Sequence, residues 1–291
     1  MHSNVLRWNL SKVVIMDSPA RYIGIAALVL SFGFSGFSQA THSFYTTPGF
    51  VLLTFENTIK HEPIALNDST YTNPFGESYT ISKLRYYVSN IVIGGNQYMT
   101  AEKNSYHLID EAQPGSKRFL IPVKPGKYES LTFLIGIDSL HNVSGAQTGA
   151  MDPLNDMFWT WHTGYVMAKM EGHSKSSLLA NNVFEYHIGG FEGGNSVLKK
   201  LTLKFPMNES YNVAAGKTLE IIVEADINEW WHGKQNIRIA VTPTVTSPGL
   251  LAKNISDNYA KMFVVQQATQ SIRISKPATH KPLKGNYRRH N

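Results

Sequence analysis

The 291-residue chain contains no cysteine and few charged residues. Without cysteine, disulfide bonds, thiolate zinc sites, iron–sulfur clusters and lipid attachment through a thiol are all excluded. Charged residues make up 16% of the chain, below the usual share of about a quarter. Hydrophobic residues make up 42% and aromatic residues 11%, enough for a substantial core. This composition is typical of an extracytoplasmic β domain rather than of a cytosolic helical enzyme.

The excess of positive charge is confined to the two ends of the chain. The whole chain has a net charge of +6, but residues 253–291 hold eight Lys or Arg residues against Asp257 alone, and residues 1–40 carry +2. Residues 41–252 are therefore acidic, with a net charge of −3. A basic face for nucleic acid is not supported, so we expect no nucleic-acid partner. We interpret residues 253–291 as a flexible basic tail.

The first forty residues predict a signal for export. An apolar run from Ile23 to Phe37 ends in Ser38-Gln39-Ala40, which places small residues at the −3 and −1 positions of a cleavage site. The run is short and interrupted by glycine, which disfavours a membrane span. The open alternative is an uncleaved anchor. We expect residues 1–40 to be a signal peptide, no stable membrane span after its removal, and a periplasmic or secreted protein.

Short runs of β-branched and aromatic residues predict strands throughout the domain, which we place at residues 41–252. The runs cover residues 51–55, 79–93, 106–109, 119–123, 131–137, 198–205, 219–225 and 237–245. Their spacing predicts a mostly β fold, an antiparallel β-sandwich. Residues 136–194 contain few such runs and are interpreted as a long irregular insertion, where function often resides. Within it, residues 157–171 fit either a strand or a short helix.

The candidate chemistry is concentrated in the predicted insertion. Four of the eleven histidines lie there: His141, His162, His173 and His187. Imidazole is the commonest metal ligand, and imidazole without thiolate suits copper. By spacing alone, ordinary surface or hydrogen-bonded histidines remain the favoured interpretation. Asp138, Asp152 and Glu171 have no spacing that favours a catalytic acid pair, and we expect no enzyme activity.

Three motifs in the insertion carry a family resemblance. They are Gly136-Ile137-Asp138 followed by His141-Asn142, then Met157-Phe158-Trp159-Thr160-Trp161, and then His187-Ile188-Gly189-Gly190. With the upstream runs Tyr86-Tyr87-Val88-Ser89-Asn90 and Tyr106-His107-Leu108-Ile109-Asp110, they make the chain resemble the MbnP-like family of periplasmic copper-binding proteins. The family includes proteins encoded beside methanobactin genes, and the resemblance covers residues 48–245.

The resemblance implies a β-sandwich and, in some members, a mononuclear copper site. In those members histidines hold the metal, in places together with a tryptophan oxidised to kynurenine by a di-haem, peroxidase-like partner enzyme. His187 matches the histidine of the family's H-[IL]-G motif. Family members usually have Asn-His where this chain has His141-Asn142, and a slip of one residue in a strand would turn the side chain to the other face.

The sequence thus predicts His187, His141 and His162 as metal ligands. Trp159, Trp161 and Met157 are the residues expected to lie beside the metal or to be open to oxidation, with core packing as their alternative role. The first functional hypothesis is an exported copper-binding or copper-handling protein with copper as its cofactor. The second is a metal-free structural or ligand-binding β-sandwich module with the same fold.

Overall fold

Strands are the most abundant regular structure in the folded chain, which confirms the predicted mostly β class. The computed structural model describes residues 47–97, 99–159 and 164–271. The predicted signal peptide and residues 272–291 lie outside these ranges. The described strands are β1 (Gly49–Ile59), β2 (Glu62–Pro63), β3 (Tyr71–Thr72), β4 (Ser78–Gly94), β5 (Met99–Ala101), β6 (Tyr106–Asp110), β7 (Arg118–Val123), β8 (Gly126–Tyr128), β9 (Ser130–Ile135), β10 (Phe158–Trp159), β11 (Gly164–His173), β12 (Val183–Gly189), β13 (Lys199–Lys204), β14 (Tyr211–Val213), β15 (Thr218–Asp226), β16 (Thr244–Val245) and β17 (Phe263–Ser271). The α-helices are α1 (Ser139–Val143) and α2 (Leu250–Tyr259), and no helix in the described ranges is long and apolar enough to cross a bilayer.

The first sheet contains both parallel and antiparallel neighbours. Its order is β17-β15-β1-β2, and β7 also pairs with β1. Strands β1 and β15 run parallel, from Phe50 opposite Thr218 to Thr58 opposite Asp226, whereas β7 and β17 run antiparallel to their partners. The sandwich is therefore mixed rather than purely antiparallel. Because β1 and β15 are far apart in sequence, no hairpin fixes their relative direction.

The second sheet is organised around the long strand β4. Its order is β13-β9-β4-β11-β12-β16. Strand β11 pairs with the first half of β4, β6 pairs with its middle, and β9 and β5 pair with its second half. The pairing with β9 is interrupted between Ser89 and Val92. Such irregularities bend a strand, and this bend lets one strand serve two sets of neighbours.

Aromatic rings join the two sheets across the core. Phe55 and Phe263 belong to the first sheet, whereas Tyr86 and Phe133 belong to the second. The ring of Phe263 lies 5.2 Å from Phe133 and 5.6 Å from Tyr86, and Phe55 lies 5.9 Å from Phe133. All four rings are buried. Edge-to-face contacts of this kind add about 0.5–1.5 kcal/mol each to the effect of burial, so they help to hold the sandwich closed.

Part of the predicted irregular insertion is regular. The stretch 164–173 is strand β11 and the stretch 183–189 is strand β12, so the HIGG motif begins in a strand of the second sheet. Eight of the ten residues of β11 are buried, and a strand covered on both faces lacks the alternation that marks a half-exposed one. Residues 138–157, by contrast, contain only short helical turns.

The predicted strand at residues 237–245 is wrong for most of its length. Only Thr244 and Val245 are in a strand. The backbone amides of Ile239 and Ala240 donate to the carboxylate of Glu77, at 2.8 and 2.9 Å, instead of to a neighbouring strand. The buried side chains of alternate residues produced the strand-like pattern in an irregular segment.

The predicted flexible tail begins too early in the chain. Residues 250–259 form α2, which buries Ala252, Ile255 and Tyr259 on one face. Strand β17 then pairs with β15, and Phe263 lies opposite Ala225. The apolar residues at 262–265, which fall within the predicted tail, therefore help to complete the first sheet.

Replacing Phe263 tests whether β17 is part of the core. We expect Phe263→Ala to lower the free energy of unfolding by about 3–5 kcal/mol, because it removes a buried ring. Val264→Ala is the matched control in the same strand, since Val264 is 51% exposed and should cost less than about 1 kcal/mol. Urea unfolding measures both losses. Equal small losses would mean that β17 does not dock on the sheet.

Candidate functional site

The second sheet carries charged side chains on the face that points away from the first sheet, here called the outer face. Side chains alternate along a strand. The buried residues Tyr86 and Ile188 therefore place their neighbours Arg85 and His187 on the outer face. The strand register sets His187 opposite Lys169, and Lys169 opposite Arg85. Three adjacent strands thus present a histidine and two cations side by side.

Lys169 is a buried cation held by the segment that lies over the outer face. We call residues 138–159 the covering segment. The Lys169 side chain is 3% exposed, and its Nζ lies 2.9 Å from Asp156 Oδ2 and also donates to the Asp156 carbonyl oxygen. Lys83 Nζ approaches the same Oδ2 at 2.9 Å, and Arg85 Nη1 donates to the Asn155 carbonyl at 2.8 Å. Three cations of the sheet therefore anchor two consecutive residues of the covering segment.

The anchor shifts the ionisation of the groups that form it. Burial lowers the pKa of Lys169, and its pairing with Asp156 opposes this effect. Burial would raise the pKa of Asp156, but hydrogen bonds from Lys169 and Lys83 lower it to about 2. The carboxylate of Asp156 is therefore charged at neutral pH, and it compensates a cation that is removed from water.

His187 is paired with a carboxylate on the neighbouring strand. Its Nε2 lies 2.8 Å from Glu171 Oε1, and Lys83 Nζ lies 3.2 Å from the other oxygen of Glu171. The hydrogen bond from His187 is the main reason why the pKa of Glu171 falls to about 2, and the two lysines lower it further against the effect of burial. The Nδ1 atom of His187 has no hydrogen-bond partner among the described residues.

His141 is held by a second carboxylate in a separate cluster. Asp138 caps the first turn of α1 by accepting from the His141 backbone amide at 3.1 Å. The Nδ1 atom of His141 lies 3.0 Å from Asp138 Oδ1 and 2.6 Å from the hydroxyl of Tyr106. That hydroxyl donates to Asp138 Oδ2 at 2.5 Å. Burial would raise the pKa of Asp138, but these hydrogen bonds lower it to about 2.

This arrangement determines which nitrogen of His141 carries the proton. Tyr106 has one hydroxyl proton and donates it to Asp138, so Nδ1 of His141 must donate toward these oxygens. In the neutral imidazole the lone pair then lies on Nε2, which has no partner among the described residues. A histidine whose other ring nitrogen is held by a carboxylate is the usual arrangement of a metal ligand.

The two histidine clusters do not converge on one point. Following the register from His187 through Lys169 and Arg85 to Asp110, and then along β6 to Tyr106, ordinary sheet spacings put the Cα atoms of His187 and Tyr106 roughly 20 Å apart. Within the described residues no group of three or more His, Asp or Glu side chains could hold a metal ion. His162 and Trp161 lie outside the described residues.

Trp159 is buried beside Gly189 at the end of β12, and Met157 is buried beside the start of β11. Met157 is fully buried and Trp159 is 7% exposed. The indole of Trp159 lies directly against Gly189, where an added Cβ would approach its ring carbons to 2.4 Å. The first glycine of the motif therefore makes room for the tryptophan. With Gly164, Tyr165 and other residues, Trp159 also lines a cleft of about 120 Å³.

The three acids considered as a catalytic group separate in the structure. Asp138 belongs with His141, Glu171 belongs with His187, and Asp152 accepts from the Leu154 amide at 2.9 Å. Sequence reasoning did not identify Tyr106 or Lys169 as members of these clusters. Their contacts depend on the register of strands that are distant in sequence, whereas the three-residue spacing of Asp138 and His141 could have suggested a helix cap with a paired histidine.

The fold and these clusters define a mostly β sandwich protein with carboxylate-paired histidines on one outer sheet face. A family model described as MbnP matches residues 48–247, more than half of the chain. The chain belongs to the MbnP family, which confirms the resemblance seen in the motifs. Among solved structures, MbnP from Methylosinus trichosporium is similar, with 13% identity over 65% of this chain and 79% of that chain, and a TM-score of 0.47. That likeness is too low to transfer the role of any residue. No curated protein matches the chain.

Gly189→Ala tests the contact between the two motifs. The added methyl group would overlap the indole of Trp159, so we expect a loss of about 1–3 kcal/mol in stability and a change in tryptophan fluorescence. Gly194→Ala is the matched control, because an added Cβ there meets no atom within 4 Å. Unchanged stability and fluorescence in the Gly189 variant would contradict the contact.

The pairing of Glu171 predicts a pH-dependent contribution to stability. Its pKa falls from the ordinary 4.5 to about 2 in the folded protein, so the charged form stabilises the fold above pH 4.5 and this stabilisation is lost as the pH falls toward 2. We expect Glu171→Gln to cost on the order of 1–3 kcal/mol at pH 7 and nothing near pH 2.

Unfolding measured between pH 2 and pH 7 checks this expectation. Glu185→Gln is the matched control, because Glu185 lies directly opposite Glu171 on β12 and its carboxylate has no hydrogen-bond partner among the described residues. A loss in the Glu171 variant that stays constant with pH would show that the carboxylate charge does not matter.

Proposed function

We propose that this MbnP-family protein is an exported, non-enzymatic copper-binding or copper-handling protein. Family membership is consistent with copper handling. The observation that carries the proposal is the state of His141: Asp138 and Tyr106 hold its Nδ1, and its Nε2 has no partner among the described residues. With no cysteine in the chain, imidazole is the strongest copper ligand available.

His187 lies in a separate cluster, so it is proposed as the ligand of a second copper ion, and His162 is proposed as a further ligand. The Nε2 atom of His187 is engaged by Glu171, so copper would be accepted at Nδ1. His162 follows the buried Trp159 by three residues in the chain. The buried aromatic residues would exclude water around the metal, and Trp159 or Trp161 would be the residue open to oxidation by a di-haem partner enzyme.

One observation favours the alternative, a metal-free structural or ligand-binding module. Lys83 and Lys169 lie within 4 Å of the carboxylate that pairs with His187. Two ammonium groups beside this histidine would oppose the approach of a second cation. In the alternative, the His187–Glu171 pair serves only to stabilise the sheet.

Copper titration of single-histidine variants separates the two functions. We expect calorimetry to show tight copper binding by the wild type, and we expect His141→Ala and His187→Ala each to remove the copper bound at its own cluster. His173→Ala is the control, because His173 is exposed and makes no side-chain hydrogen bond to the described residues. Since imidazole binds copper only when it is deprotonated, the affinity should fall as the pH is lowered.

Copper should also raise the melting temperature of the wild type, because the ion binds the folded state. This shift should be smaller in the His141 and His187 variants. Equal copper affinity in the wild type and both variants would overturn the proposed ligands. No binding by the wild type at micromolar copper would favour the metal-free module.

A further inference from the structure

A cleft of about 490 Å³ lies at the end of the second sheet that is opposite to Trp159. The start of β4, the end of β11 and the loop after it form its walls. Strand β11 begins beside Trp159 at Gly164 and reaches this cleft at His173. Nine residues of strand separate the two places by about 30 Å. The cleft is therefore far from Trp159, and its lining includes no residue of either histidine cluster.

The wall of the cleft is fixed by internal hydrogen bonds. The hydroxyl of Ser174 donates to the Ser78 carbonyl at 2.6 Å, and the side chain of Asn182 donates to the Ser177 carbonyl at 3.0 Å. At Gly172 the two strands approach so closely that an added Cβ would lie 1.9 Å from the Thr80 carbonyl oxygen. The cleft is thus a preformed feature of the sheet end rather than a gap between loose loops.

Several polar groups face this cleft without a protein partner. Within the described residues, no hydrogen bond or ion pair engages the side chains of Thr70, Thr80, His173, Lys175 and Asn181, all of which line the cleft. Hydroxyl, amide, imidazole and ammonium groups can each donate a hydrogen bond. Five potential hydrogen-bond donors on a fixed wall would suit a ligand that carries many hydrogen-bond acceptors.

The charge of the lining selects the chemical class of the ligand. Lys175 is cationic and His173 becomes so on protonation, and no carboxylate belongs to the lining. The neighbouring carboxylate of Glu171 is already occupied by His187 and Lys83. An ammonium group with hydroxyl and amide donors around it recognises oxyanions. A metal cation, by contrast, would meet the ammonium group of Lys175 and no charged oxygen.

We propose that this cleft binds a small hydroxylated oxyanion, such as a sugar that carries a phosphate, sulfate or carboxylate group. Lys175 and His173 hold the oxyanion, and Thr70, Thr80 and Asn181 donate to the hydroxyl-bearing part of the ligand. The volume falls within the roughly 300–1,000 Å³ of small-molecule sites and exceeds the space that a bare phosphate fills. The inference does not depend on copper binding.

The test is a titration followed by NMR of the His173 ring and the Asn181 amide. The purified protein is titrated with glucose 6-phosphate, inorganic phosphate and glucose at constant ionic strength. We expect saturable shifts with glucose 6-phosphate, weaker binding of phosphate and no binding of glucose. Lys175→Met should weaken the binding roughly tenfold, as expected for one charge-assisted contact. Lys103→Met, an exposed lysine outside the cleft, should leave the affinity unchanged.

Three results would overturn the proposal. One is the absence of saturable shifts with glucose 6-phosphate up to about 10 mM, beyond which binding is too weak to be specific. Another is glucose binding as tightly as its phosphate, which would remove the role of the oxyanion. The third is an equal affinity of the Lys175 and Lys103 variants. A fourth result would overturn only part of the proposal. If phosphate bound as tightly as glucose 6-phosphate, the hydroxyl groups of the ligand would not contribute to binding.

Discussion

The ion pair between the buried Lys169 and the exposed Asp156 is the interaction on which the arrangement of the outer face depends. A lysine that is removed from water requires a charged partner, and Asp156 supplies both a carboxylate and a carbonyl oxygen. Those oxygens belong to the covering segment, not to the sheet. The ion pair therefore fixes the position of the chain that carries Asp138 and His141 before it and Trp159 after it.

The strands that bury only one face could be predicted from the sequence, because apolar and polar residues alternate along them. Strand β1 shows it in Val51, Leu53 and Phe55. The alternation is hidden in β11, where the covering segment buries Lys169 and makes almost every position unexposed. The same alternation gave a wrong strand prediction at residues 237–245. There the backbone amides donate to the Glu77 carboxylate instead of to a neighbouring strand, and a pattern of apolar residues does not reveal this difference.

The sequence predicted which histidines belong to the candidate site but not which residues contact them. The motifs identified His141 and His187, and both are paired with carboxylates. Their partners could not be predicted, since Tyr106 reaches His141 only through the pairing of β6 with β4. The sequence also suggested one site, whereas the register separates the two histidines into different clusters. Family membership could be predicted because it depends on the order of several motifs along the whole domain and not on contacts between distant residues.

The outer face therefore has three chemically different regions along one sheet. Near the start of β11, Trp159 packs on the HIGG strand; in the middle, lysines and acids anchor the covering segment; and at the far end, unpaired donors line a cleft. A fixed covering segment is what places His141 beside Tyr106. If the segment moved, that histidine would lose its orientation, and the proposed ligand would no longer be preorganised.

Hydrogen exchange in a Lys169→Met variant tests this account most directly. Methionine keeps the apolar length of the side chain but removes the charge, so the core should remain packed. The account predicts that amides in the covering segment, Asn155 and Asp156 among them, exchange at least about tenfold faster, while those of β1 and β15 keep their protection. Unchanged protection throughout the covering segment would contradict the claim that this ion pair positions it.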